Sequence, residues 1–427
     1  MKNISVIGLG YIGLPTSILA AQGGYSVFGF DVNSDKISKI KLGDPTIVEP
    51  EISERLLEVL QKKSLTVGNK IKKADCFVVA VPTPFTEDKK AELKYVFDSA
   101  KSISKVLKNG DLIILESTIP VGTTAKFSSY LENETLLKAG SDFFVAHCPE
   151  RVLPGKIFQE LVFNDRVIGG INLESAKKAK KFYSLFVKGE MVLTNDKTAE
   201  MVKLIENSSR DVQIAFANQV AEMAQSAGIE AREVIKLANK HPRVNILNPG
   251  CGVGGHCIAV DPWFLINDFP QCSTLLSQAR NINDSRPKKI VKHVLFEIEK
   301  IQNIQKPKVL VLGVTFKADV DDIRQSPALQ IAQELNNYRN ELDLFVCEPN
   351  AKISDLGLEQ VDLKRGLLVA DVVVSLVFHK EFKNISFDDL QDKKVIDTCG
   401  LQYSIEKNQN IGFSKNQNSV NEIVLGG

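Results

Sequence analysis

An apolar run, Ile4 to Ile7, ends in Gly8-Leu-Gly10-Tyr-Ile-Gly13 and resumes as a helical stretch from Pro15 to Ala21. Few folds accept three glycines at this spacing between a strand and a helix. The glycines permit a tight turn. They also let a pyrophosphate reach the helix N-terminus, whose free N–H groups and dipole favour an anion. Tyr11 and Ile12 fill out the loop. Asp31 closes the second strand, 18 residues after Gly13, and a carboxylate there accepts from both ribose hydroxyls and repels a 2′-phosphate. No Arg follows at once, so the pattern favours NAD over NADP; FAD is the competing dinucleotide.

The rhythm of the fingerprint continues. Val27 to Phe30, Cys76 to Val81, Leu112 to Leu115 and Phe143 to Ala146 are strand-like, with helical stretches such as Val96 to Leu107 between them. This predicts βαβ units and a parallel sheet. It gives way to one long helix, Thr198 to Gly228, then to helical sequence over Ala231 to Asn239 and from Ser273 to about Ile301. After Lys306-Pro-Lys308 strands return at Val309 to Leu312, Leu344 to Cys347, Val372 to Val377 and Val395 to Asp397, with a helix over Ala328 to Leu335. The expected fold class is α/β: an N-terminal Rossmann domain, a central long-helix region and a C-terminal Rossmann-like domain.

Composition narrows the partners. With 427 residues, 44% hydrophobic and 25% charged, the chain can bury two or three cores. A net charge of +1 gives no reason to expect nucleic acid or an anionic membrane. No run of about 18 apolar residues occurs, so no membrane span is expected. The seven cysteines form no Cys-x-x-Cys, which argues against a disulfide framework and a structural zinc site. A reducing cytoplasm and no bound metal are the expectation.

Three features lie outside the fingerprint. Val81-Pro-Thr83-Pro and Glu116-Ser-Thr118-Ile-Pro follow strands, so they fall at the carboxyl edge where open α/β sheets bind ligands; each also reads as a plain Pro-containing turn. Lys203, Asn207 and Arg210 share one helix face, although Asn-Ser-Ser-Arg is a poor choice in mid-helix on propensity alone. Cys257 sits in Gly250-Cys-Gly-Val-Gly-Gly-His-Cys-Ile-Ala-Val-Asp261, where little bulk crowds the thiol. A nucleophilic thiol needs a cation or base beside it, since its ordinary pKa of about 8.5 leaves it mostly protonated. His241-Pro-Arg243 adds cations just upstream.

Together these motifs resemble the UDP-glucose/GDP-mannose dehydrogenase family over nearly the whole chain. The match rests on the Gly8 fingerprint, Thr83, Glu116-Ser-Thr118, Pro149-Glu150, Lys203 with Asn207, Gly254-Gly-His-Cys257-Ile, Asp261-Pro, and Phe316-Lys317 with Arg324. Within the family, Cys148-Pro-Glu-Arg-Val-Leu-Pro-Gly155, Asn164-Asp-Arg-Val-Ile-Gly-Gly170, Asn207-Ser-Ser-Arg-Asp211 and His241-Pro-Arg-Val-Asn-Ile-Leu247 resemble the branch acting on UDP-N-acetyl-D-mannosamine. Enzymes acting on UDP-N-acetyl-D-glucosamine share much of this.

The resemblance implies NAD-dependent oxidation of a sugar C6 alcohol to a uronate for polysaccharide synthesis. It implies three regions: 1–193 for NAD, 194–304 helical and dimer-forming with the thiol loop, and 305–427 for the UDP-sugar. It makes Cys257 the nucleophile, Lys203 the acid/base or oxyanion partner, and Asn207 a donor to the same oxygen. Asp261, Glu150 and Thr118 would organise water and protons. Gly8, Gly10, Tyr11, Ile12, Gly13, Asp31, Thr83, Thr118 and Arg324 would hold NAD. Arg151, Val152, Lys203, Asn207, Arg210, His241, Arg243, Gly254, Phe316 and Lys317 would line the substrate site. Two positions depart from the family. Cys251 stands where relatives have Pro, and Asp397-Thr-Cys-Gly lacks the Arg that many relatives place soon after this Asp. Two rival readings remain: a two-electron β-hydroxyacid-type dehydrogenase, which needs no Cys257, and a non-catalytic NAD sensor.

Overall fold

The computed structural model describes residues 1–153, 155–302 and 304–405. These fall into two compact units, residues 1–207 with 263–272, and residues 208–262 with the chain from 273. The end of the expected 305–427 region, from 406 on, lies outside the described residues.

The first unit runs β1 (Asn3–Ile7), α1 (Gly13–Gln22), β2 (Ser26–Phe30), α2 (Ser34–Lys41), α3 (Ile52–Gln61), β3 (Leu65–Gly68), β4 (Cys76–Val79), α4 (Lys94–Ser104) and β5 (Leu112–Leu115). It continues through α5 (Thr123–Thr135), β6 (Phe144–His147), α6 (Ile157–Phe163), β7 (Arg166–Gly170), α7 (Leu173–Tyr183) and β8 (Met191–Asn195). Its eight-stranded sheet has the order β3-β2-β1-β4-β5-β6-β7-β8. Runs such as Leu-Ile-Ile-Leu in β5 are buried throughout because helices cover both faces. Ile4, Val6, Val78, Ile114 and Ala146 meet α1 and α7 on one side. Phe77, Val79, Ile113 and Leu115 meet α4 and α5 on the other.

The sheet is not parallel throughout, as the strand rhythm had suggested. β7 pairs with β6 antiparallel, through Ala146↔Gly170 and His147↔Gly169, and β8 follows β7 in parallel. Periodicity locates strands but not their direction, which depends on how far each connection carries the chain. β3, β7 and β8 also escape the sequence reading. They are short, all three lie at or next to a sheet edge, and polar residues interrupt them.

α8 (Asp196–Ser226) is a 31-residue helix that carries the chain out of the first unit. α9 (Ala231–Ala238), α10 (Asp261–Asp268) and α11 (Thr274–Glu299) follow. In the second unit, β9 (Lys308–Leu312), α12 (Pro327–Asn336), β10 (Asp343–Cys347), α13 (Leu363–Val369), β11 (Val372–Ser375) and β12 (Lys394–Asp397) build a four-stranded parallel sheet of order β10-β9-β11-β12. Within this unit Asp211 of α8 is buried and accepts from Arg280 and Asn283 of α11, at 2.6 and 2.8 Å. The polar run in mid-helix thus ends in an anchor. Among the described residues no helix is long and apolar enough to cross a membrane.

Candidate active site

In the first sheet the strand order reverses between β1 and β4, which opens a crevice above their carboxyl ends. The fingerprint loop lies there. Gly13 packs so closely that a Cβ would stand 1.8 Å from the Gly8 carbonyl oxygen. A Cβ on Gly10 would meet nothing within 4 Å, so this stretch of backbone is open to close approach by a ligand. Asp31 is buried at the end of β2. Its Oδ2 accepts from Leu9 N at 3.0 Å and Lys36 Nζ at 3.1 Å, and its Oδ1 from Asn33 N at 2.9 Å. A carboxylate has about four acceptor sites, so capacity remains for ribose hydroxyls. Tyr11 donates to Val48 O at 3.0 Å. The β4 and β5 loops are tied together because Ser117 Oγ accepts from Val81 N at 2.9 Å and donates to Val81 O at 2.7 Å. This sets half-buried Thr83 and Thr118 on neighbouring loops of one edge. The donors and the open backbone fit a dinucleotide.

Beneath the crevice lies a buried polar cluster that sequence reading missed. Glu116 accepts from Tyr183 Oη at 2.7 Å and from Thr16 Oγ1 of the fingerprint helix at 3.1 Å. Burial, followed by repulsion from Glu150, pushes its carboxyl up to about 8. Glu150 is itself buried and paired with Arg166, whose guanidinium stacks 4.3 Å from the Tyr183 ring. Nothing in Asn164-Asp-Arg166 announces that pair, because its members lie on either side of α6 and meet only where β7 folds back antiparallel to β6. Arg151 is also paired, with Glu206 of α8 at 2.5 Å, and adjoining Val152 packs partly buried against the core.

On α8, Lys203 and Asn207 are half-buried. Glu200 on the same helix accepts from Thr124 N at 2.7 Å and so caps α5. His147 is fully buried, and burial pushes its imidazole down to about 3 while the charge of Lys203 acts in the same direction. It stays neutral at physiological pH.

The second unit holds the thiol loop. Cys257 is exposed, and its carbonyl accepts from Val260 N at 2.9 Å and Asp261 N at 2.8 Å, turning the chain into α10. Asp261 is buried in the first turn of that helix, where the dipole favours a carboxylate. The loop lies against the segment after β9. A Cβ on Gly254 would stand 2.5 Å from Gln325 O and 3.0 Å from Phe316 Cβ, and Gly255 faces the Phe316 ring. His256 bonds Asp322 at 3.1 Å, and Asp322 clamps Arg324 in a bidentate pair at 2.9 and 2.8 Å. Residues about sixty apart in sequence, Gly254 and Phe316 among them, thus meet. Lys317 is exposed on the same segment, as are Arg210, His241 and Arg243 elsewhere in the unit.

Glu348, at the end of β10, repeats the local role of Asp31: its Oε2 accepts from Val314 N at 2.7 Å and its Oε1 from Asn350 N at 2.8 Å. His379 joins it at 3.1 Å. Asp319, His379 and Glu381 could offer a cation three ligand atoms within 4.8 Å of one another. His379 Nδ1, however, already accepts from Asp319 N and Asn350 Nδ2, so the cluster works as a hydrogen-bond hub.

Comparison with known families resolves what this geometry serves. Residues 2–187 match the UDP-glucose/GDP-mannose dehydrogenase family NAD binding domain, 197–285 its central domain, and 310–402 its UDP binding domain. The chain belongs to the UDP-glucose/GDP-mannose dehydrogenase family. It is an NAD-dependent nucleotide-sugar dehydrogenase, as the resemblance of its motifs implied.

Among relatives, it is 45% identical over 412 residues to the UDP-N-acetyl-D-mannosamine dehydrogenase of Campylobacter jejuni, covering 93% of this chain and 99% of that protein. It is 42% identical over 411 residues to the NDP-N-acetyl-D-galactosaminuronic acid dehydrogenase of Ralstonia solanacearum, covering 94% and 96%. The solved UDP-D-ManNAc dehydrogenase of Pyrococcus horikoshii superposes with a TM-score of 0.87 at 41% identity, covering 94% and 96%.

Proposed function

We propose that this dehydrogenase oxidises the C6 alcohol of UDP-N-acetyl-D-mannosamine to the uronate, in the cytoplasm, as a precursor for polysaccharide. The observation that carries the reading is the exposed Cys257 in a glycine-rich loop seated on the Phe316–Arg324 segment. A two-electron dehydrogenase has no use for such a thiol. The Gly8–Gly13 loop and Asp31, with Thr83 and Thr118, would hold NAD+, which would supply a hydride acceptor, one molecule for each of the two oxidations. The first oxidation gives an aldehyde. Cys257 Sγ adds to its carbon, forming a C–S bond, and the thiohemiacetal gives up a second hydride to become a thioester. Water then cleaves the C–S bond, releasing the carboxylate and restoring the thiol.

Lys203 stabilises the developing oxyanion and exchanges its proton, and Asn207 donates to the same oxygen. Asp261, Glu150 and Thr118 organise the hydrolytic water. Arg151, Val152, Arg210, His241, Arg243, Gly254, Phe316 and Lys317 bind the UDP-sugar, and Arg324 reaches the cofactor. The working regions are 1–193, 194–304 and 305–427. A homodimer forms on α8, whose Ile205, Phe216 and Met223 are 50, 50 and 57% exposed. They recur after three and five helical turns, so they make one apolar stripe.

The test is an NADH assay with a panel of UDP-sugars. UDP-N-acetyl-D-mannosamine should give two NADH per uronate, with UDP-glucose at least about a hundredfold poorer in kcat/KM. Faster oxidation of the N-acetylglucosamine or N-acetylgalactosamine epimer would reassign the sugar and leave the chemistry standing. One NADH per substrate would refute the thioester route.

A further inference from the structure

Arg232 lies in the first turn of α9, and its side chain is half-buried in the second unit. One nitrogen, Nη2, donates to Thr398 O at 3.1 Å and to Pro249 O at 3.4 Å. The loop that leads to Cys257 and the turn after β12 therefore meet at a single guanidinium.

The turn is built to receive it. Asp397 accepts from Cys399 N, Gly400 N and Gln402 N at 3.0, 2.8 and 3.0 Å, which fixes the backbone. Gly400 has φ +92°, and a Cβ there would stand 2.4 Å from Arg232 Nε. The guanidinium thus packs against bare glycine backbone. Among the described residues no carboxylate comes within 4.0 Å of it, and the two carbonyls are its side chain's hydrogen-bond partners. Hydrogens on Nη1 remain to be donated. No Lys or Arg occurs from Thr398 to Ile405, so α9 supplies the cation at this edge.

A half-buried guanidinium without an acid is costly unless an anion completes it. Its planar fork matches phosphate oxygens. The turn stands at the carboxyl end of β12, next to β11, on the side of a parallel sheet where ligands bind. We propose that Arg232, pinned by the Thr398 and Pro249 carbonyls against Gly400, binds the diphosphate of the UDP group. This rests on the nucleotide-sugar reading and adds to it a residue that neither the sequence motifs nor the homology identified.

The experiment is calorimetric titration of the full chain with UDP, uridine and NAD+. Arg232→Gln should weaken UDP at least about tenfold, the scale of one lost charge-assisted hydrogen bond, while uridine and NAD+ bind as before. Arg232→Lys keeps the charge and stem and should recover part of the loss. Gly400→Ala, which displaces the guanidinium, should weaken UDP in the same direction. With the UDP-sugar substrate, KM should rise and kcat hold.

Unchanged UDP affinity in Arg232→Gln overturns the inference. Equal losses for UDP and uridine overturn it in favour of a nucleoside contact. Weaker NAD+ binding in every variant overturns it in favour of a purely structural role. Failure of the parent protein to bind UDP at all would instead sink the nucleotide-sugar reading itself.

Discussion

Replacing Glu116 by Gln tests the buried cluster under the cofactor loop. Its carboxyl rises from 4.5 to about 8 in the folded protein, chiefly through burial and then through Glu150. The native state therefore holds a proton that the unfolded chain has lost. Stability is greatest below pH 4.5 as far as this group is concerned, and falls as pH climbs towards 8. The slope approaches 1.4 kcal/mol per pH unit in that window. Between pH 6 and 8.5 the linkage relation gives a loss of about 2–3 kcal/mol. Gln carries no proton to lose. It can still accept from Tyr183 and, with its amide turned, donate to Thr16.

The variant's advantage over the parent should thus widen by about 2–3 kcal/mol between pH 6 and pH 8.5, or roughly 5–10 °C in the melting temperature of the NAD unit. Differential scanning calorimetry at a series of pH values reads the difference directly. A gap between the two proteins that stays constant from pH 6 to 8.5 would falsify the assignment of a protonated Glu116. Because Thr16 belongs to α1, NAD+ affinity in the parent should also weaken above pH 8, and Glu116→Gln should remove that weakening.

Three further outcomes are expected. Cys257→Ser should abolish uronate formation while NAD+ still binds, since serine forms no thioester; turnover within about tenfold of the parent would contradict covalent catalysis. NAD+ should be strongly preferred to NADP+ because a 2′-phosphate would meet Asp31, and equal kcat/KM for the two would overturn this, with Lys36 the first residue to suspect. Phe216→Glu with Met223→Glu should give a monomer in sedimentation at micromolar concentration, and a persistent dimer would place the interface elsewhere than the apolar stripe of α8.

Much of the site was readable because its signals are local. A glycine turn between strand and helix, and a carboxylate at the next strand end, are determined within about thirty residues by backbone sterics and alternation. The strand rhythm likewise follows from short continuous apolar runs, buried on both faces, as in β4 and β5. The small residues around Cys257 showed an uncrowded thiol, although they did not show that Phe316 and Gln325 are what crowd out side chains at Gly254.

What the tertiary structure decided involves partners far apart in the chain. Thr16 meets Glu116, Tyr183 meets Glu116, and Arg232 meets Thr398, across 100, 67 and 166 residues. No window of sequence contains both members of any such pair. The same holds for the antiparallel pairing of β7 with β6 and for the buried ion pair of Glu150 with Arg166, whose members lie in different segments of the chain. Propensity and periodicity act through neighbouring residues, so they determine elements and turns. Charge pairing, proton affinity and strand direction depend on distances in space, and those exist only once the chain has folded.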